Sequence, residues 1–104
     1  MDAATRWERI EESELEVAGV SSGTGFGRSI GLRIQGKIFA IYNERDLILK
    51  LPKNRVGELI DSGEGRPWGP DTAKVMKEWV AVPEVASERW PGLAAEARTF
   101  VGSG

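Results

Sequence analysis

Three short apolar-patterned segments between residues 29 and 51 limit the fold more than any other feature, because the turns joining them are too short for parallel neighbours. In residues 29–35, Ile30, Leu32 and Ile34 alternate with Ser29, Gly31, Arg33 and Gln35, the period-two pattern of a strand with one buried face. Gln35-Gly36-Lys37 supplies a turn, and residues 37–43 follow with apolar side chains on both faces. The polar tetrad Asn43-Glu44-Arg45-Asp46 makes the next turn. In residues 47–51, Leu47, Leu49 and Leu51 share one face, with Ile48 and Lys50 on the other. Parallel neighbours need crossovers of about a dozen residues, so these segments predict an antiparallel meander over 29–51.

The flanking residues read as follows. From Asp2 to Glu12 the chain is polar with Trp7 and Ile10 spaced i, i+3, which predicts a short helix over 1–12, capped by Thr5, or a mobile arm. Leu15, Val17 and Gly19 alternate with acidic or small residues, as an edge strand would. Pro52 ends the meander at a natural helix start. Val56, Leu59 and Ile60 then share a helical face over 53–62, and Gly63 stands at the expected stop. Glu64 to Asp71 is a loop by its Gly and Pro content. Residues 73–82 fit either a strand or a helix by periodicity, with Val-Ala-Val-Pro at the end favouring extended backbone. Leu93, Ala94, Ala97, Phe100 and Val101 predict a carboxy-terminal helix over 84–101, with Pro91 near its start or at a kink.

Chemistry is bounded by two absences. The 104 residues include neither cysteine nor histidine. That removes disulfides, zinc fingers, thiol nucleophiles and every catalytic scheme in which an imidazole takes the proton. Acid-base work would fall to carboxylates, lysines or Tyr42, and nothing in the spacing of Glu44, Asp46, Asp61, Glu64 and Asp71 selects a pair. Gly31 to Lys37 satisfies GxxxxGK, but Ile38 stands where magnesium binding needs Ser or Thr, and the intervening residues alternate as a strand. Gly23-Thr24-Gly25-Phe26-Gly27 fails the dinucleotide glycine pattern and reads as a bulged lead-in to the first meander strand. The expectation is a single non-enzymatic domain over 1–104 with no cofactor and no metal. An apolar run long enough for a membrane span is lacking and the acidic start does not resemble a signal peptide, so the expected location is the cytoplasm.

Charge is unevenly distributed. Residues 1–18 hold six acids and two bases, residues 19–53 hold six bases and two acids, and residues 54–104 hold six bases and eight acids. The net charge of −2 thus averages an acidic start and a basic sheet. Arg28, Arg33, Lys37, Arg45, Lys50, Lys53 and Arg55 form a basic stripe, of which Arg28, Arg33, Lys37, Lys50 and Lys53 are the candidate nucleic-acid contacts. The bland alternatives are solubilising charge on sheet edges and an acidic amino terminus folded over the patch. Trp7, Trp79 and Trp90 fall on apolar faces and are expected in the core. Trp68, between Pro67 and Gly69, is either a loop anchor or a contact residue, which makes Arg66, Pro67 and Trp68 the candidate partner-binding site.

The order of several local strings resembles the TfoX/Sxy amino-terminal domains, with related YjbR/MmcQ-like domains sharing the architecture. The resemblance runs from Gly25-Phe26-Gly27 through Gly36-Lys37-Ile38-Phe39-Ala40, Leu49-Lys50-Leu51-Pro52 and Gly63-Glu64-Gly65-Arg66-Pro67. It continues through Met76-Lys77-Glu78-Trp79-Val80-Ala81-Val82-Pro83 to Trp90, Leu93 and Phe100-Val101. It implies an α+β fold: an antiparallel sheet of four to five strands, made of the meander 29–51 plus a strand at 74–82, with flanking helices that include 84–101. It also implies a regulatory domain that assists transcription through protein contacts, with DNA as a further contact; a protein partner or homodimer is the expectation carried by the Trp68 string. The alternative is a homodimeric structural or small-ligand-binding domain.

Overall fold

The computed structural model describes residues 1–23, 30–69 and 76–103. It is an α+β fold with a six-stranded antiparallel sheet, flanking helices and a carboxy-terminal helix. The first helix, α1 (Ala3–Leu15), starts one turn earlier than a Thr5 cap would allow. Asp2 is the cap, and its carboxylate accepts the Thr5 N–H at 2.8 Å. That bond holds the Asp2 carboxyl below the usual carboxylate range. Ala3, Trp7, Ile10 and Glu14 form the buried stripe of α1, one face of a helix at spacings of four and three.

The edge strand expected at Leu15–Gly19 does not form. Leu15 is still helical, and the chain turns through residues 16–19, where the Val17 N–H reaches the Glu14 carbonyl at 3.0 Å. Buried Glu14 keeps α1 helical to its last turn, and the edge strand β1 (Val20–Ser22) begins only after Gly19.

The meander consists of β2 (Ile30–Ile34), β3 (Lys37–Tyr42) and β4 (Asp46–Lys50). Gln35 and Gly36 both have positive φ, 52° and 81°, as a two-residue hairpin matching strand twist requires. The Asn43 side chain closes the next turn by accepting the Asp46 N–H at 2.9 Å. Leu32 pairs with Ala40 while Arg33 pairs with Ile38, so Phe39 is an extra residue in a β-bulge. The bulge lets Phe39 and Ala40 both join the main core.

Helix α2 (Lys53–Ser62) stops at Gly63, whose φ of 83° lets its N–H return to the Leu59 and Ile60 carbonyls. A two-residue strand, β5 (Arg66–Pro67), lies at the far edge beside β6 (Trp79–Pro83). The strand expected over 74–82 is therefore shorter and later. Residues 76–78 turn, with the Trp79 N–H on the Met76 carbonyl at 3.2 Å, and residues 74 and 75 lie outside the described residues. The helix expected over 84–101 divides into a 3-10 helix, Glu84–Arg89, and α3 (Trp90–Ser103). The backbone leaves helical geometry at Ala86, with φ −105° and ψ 21°, and Pro91, which lacks an N–H, falls in the first turn of α3, where no intrahelical donor is needed. The sheet order is β1-β2-β3-β4-β6-β5. The strand count exceeds four to five because of the short strands at either edge.

All three helices bury side chains in one cluster on one face of the sheet: Trp7 and Ile10 from α1, Val56 and Leu59 from α2, Trp90, Leu93 and Ala97 from α3. Trp7 stacks on Tyr42 with centroids 5.3 Å apart, and Trp90 meets the Tyr42 edge at 6.1 Å. Burial, helped by the negative charges of Glu44, Glu84, Asp2 and Glu8, pushes the Tyr42 phenol up from its ordinary value. The other face carries a smaller cluster, Ile41, Ile48 and Ala81 with Ile38, Trp68 and Trp79 against it, to which no described helix residue contributes.

Candidate functional site

Strand alternation decides where the basic residues go. Leu32, Ile34, Leu47 and Leu49 face the helices, so Arg33 and Lys50 face the opposite side. Arg33 pairs with Ser21 on one side and Ile38 on the other, and Lys50 pairs with Trp79. Because Ala40 pairs with Leu49, Lys50 lies at the Ile38 end of β3. Lys37 opens β3 at that same end, and Lys53 is the first residue of α2, just beyond Lys50. Arg33, Lys37, Lys50 and Lys53 therefore gather at one end of the sheet. Arg28 lies outside the described residues.

Two members of the stripe go elsewhere. Arg45 lies in the β3–β4 turn, at the other end of β4 from Lys50. Arg55 is committed to Glu96 at 2.9 Å and Glu58 at 3.1 Å, and those two carboxylates hold its guanidinium above the ordinary value.

Around Lys50 and Lys53 the surface forms a cleft of about 510 Å³, completed by Met76, Lys77, Glu78 and Trp79. Three of the five lysines of the chain line it, and none of the three forms an ion pair with a described residue. Pro52 leaves the first turn of α2 without a side-chain cap, so the positive end of that helix adds to the field at Lys53. Lys77 and Trp79 are the members that sequence reasoning missed. Lys77 was masked by the surplus of acids in residues 54–104, and it meets Lys50 only through the β4–β6 pairing. Acidic α1 does not fold over the patch, since it docks on the helix side of the sheet.

The Arg66-Pro67-Trp68 string is more ordered than a loop. Arg66 and Pro67 form β5, opposite Ala81 and Val80, and Arg66 pairs with the carboxylate of Asp46. Trp68 is an anchor: it packs on the Ile41, Ile48 and Ala81 cluster with its ring 5.4 Å from that of Trp79, while remaining partly exposed. Trp7 and Trp90 are buried as expected, whereas Trp79 is only partly so.

Other candidate features are scattered. Glu64 pairs with Arg89 at 3.5 Å, and Asp71 lies outside the described residues. Gly31 to Lys37 forms strand and hairpin turn, with no loop to cradle phosphate. Of the glycine string, Gly23 alone is described, and its N–H binds the Gly31 carbonyl at 2.8 Å. Among the described residues no group of three carboxylates is placed to hold a metal ion, and no helix is long and apolar enough to cross a membrane. Comparisons with protein families, with curated proteins and with solved structures found no match to this chain.

Proposed function

We propose that the chain is a non-enzymatic, TfoX-like interaction domain that works in the cytoplasm as a co-regulator and contacts the phosphate backbone of DNA. The observation that carries this reading is the cleft in which Lys50, Lys53 and Lys77, none of them ion-paired with a described residue, converge beside Trp79. Arg33 and Lys37 at the same end of the sheet extend the footprint. Lysines unpaired with protein carboxylates are those that phosphates neutralise at least desolvation cost. The acidic net charge limits such binding to low affinity and makes it steeply salt-dependent.

The test is fluorescence anisotropy of a labelled duplex over a range of salt. Three phosphate contacts predict a log–log slope of roughly −3. Each of Lys50→Glu, Lys53→Glu and Lys77→Glu is expected to flatten it by about one. Absence of binding at low salt, or slopes unchanged by all three reversals, removes the nucleic-acid reading.

A second reading is a protein partner or homodimer at Arg66, Pro67 and Trp68. It is favoured by the partial exposure of Trp68 next to the short edge strand β5. Sedimentation of the concentrated protein as a single chain would remove the homodimer.

A further inference from the structure

On the helix side of the molecule, far from the lysine cleft in the fold, a cavity of about 250 Å³ opens between α1 and the start of α3. Its polar wall is Arg6, Arg9 and Ser13, and its apolar wall is Met1, Ile10 and Pro91. Arg6 and Arg9 stand i, i+3 on α1, so their guanidinium groups project from one side of the helix. The Arg6 Nε is shielded from solvent and has no hydrogen-bond acceptor among the described residues. An orphaned, charged N–H of this kind is a costly feature for a fold to retain unless something supplies the acceptor.

The described residues do not supply it. Glu14, the carboxylate in the cavity wall, is already bound to Arg98 Nε at 2.6 Å. Neither Arg6 nor Arg9 forms an ion pair with a described residue. Two guanidinium groups thus line a small, partly apolar cavity whose one carboxylate, Glu14, is shared with Arg98, and neither guanidinium is ion-paired among the described residues. Planar guanidinium matches a carboxylate in two-point geometry.

We infer that this cavity binds a small organic monocarboxylate with a compact apolar body. Its carboxylate takes the Arg6 and Arg9 N–H groups and its body lies against Ile10 and Pro91. Met1, the exposed rim of the apolar wall, is the side chain that yields to admit it. Glu8, Glu11 and Glu12 give the outer surface of α1 a negative field, which disfavours polyanions and selects a singly charged ligand. The inference stands apart from the nucleic-acid reading, which uses other residues on another side of the sheet.

Benzoate is a suitable probe and benzamide its uncharged counterpart. In amide NMR titrations of the whole chain, benzoate is expected to shift the signals of Arg6, Arg9, Ser13 and Gly92 saturably. Benzamide, and sodium chloride at equal ionic strength, are expected to leave them in place. Arg6→Gln and Arg9→Gln should each weaken benzoate binding by about tenfold or more, the worth of a charge-assisted hydrogen bond. Arg9 is exposed, so its variant keeps the test decisive if Arg6→Gln perturbs folding. The inference is overturned by an absence of saturation, by an equal response to benzamide, or by unchanged affinity in Arg9→Gln. Shifts confined to Lys50, Lys53 and Lys77 would also overturn it, while leaving the lysine cleft standing as an anion site.

Discussion

Trp90→Ala is expected to cost about 3–5 kcal/mol of folding stability, a large part of the roughly 5–15 kcal/mol available to a domain of this size. Trp90 is fully buried at the start of α3. Its ring meets Tyr42, and its Nε1–H donates to the Val82 carbonyl at 3.1 Å. Truncation leaves a cavity where α3, β3 and β6 converge, and it removes a buried hydrogen bond. Trp90→Phe retains most of the apolar contact and loses the donor, so about 1–3 kcal/mol is expected. Urea unfolding followed by far-ultraviolet circular dichroism separates the two. An alanine variant within about 1 kcal/mol of the parent would contradict the central role given to this side chain.

Arg98→Ala is the second large effect, expected near 3 kcal/mol. Glu14 is 6% exposed, and Arg98 is its only side-chain partner among the described residues. Removing one member of a buried pair costs about 3–5 kcal/mol because the other charge is left desolvated. The guanidinium side chain is a quarter exposed, so water reaches the pair and the lower end applies. Replacing both partners by apolar residues, Glu14→Leu with Arg98→Met, should restore most of the loss. Apolar contacts can substitute for a buried pair once no charge is stranded. The double-mutant cycle measured by denaturant unfolding decides. If the double variant is as unstable as the sum of the singles, the pair is not the source of the effect.

The same pair explains one of the limits of reading this chain from sequence. Leu15, Val17 and Gly19 alternate like a strand, but the helix runs through Leu15 because Glu14 is buried against a residue 84 positions later. No local pattern carries that information. The bulge at Phe39 is a similar case. A run of consecutive apolar residues from Ile38 to Tyr42 reads as a strand buried on both faces, and only the register with β2 reveals one residue too many.

The meander, by contrast, was legible because alternation and short polar turns are local properties. The surplus of bases over 19–53 was legible as composition, but which of them share one end of the sheet depends on register. Arg45 lies at the other end and Arg55 is paired with Glu58 and Glu96, whereas Arg33, Lys37, Lys50 and Lys53 share one end. Lys77 joins them across the β4–β6 pairing, and Trp68 settles on Ile41, Ile48 and Ala81 from the far edge. Both are long-range contacts.

The placement of α3 has a consequence for how the chain is made. The meander and α2 are complete by Ser62, yet the core they face is filled by Trp90, Leu93, Ala94, Ala97 and Val101. During synthesis the strands therefore leave the ribosome with only the α1 and α2 parts of their apolar face available to be covered, and the part under α3 waits for the last-made of these elements. Folding of this domain is completed from its carboxy-terminal side, after almost all of the residues described here have been joined.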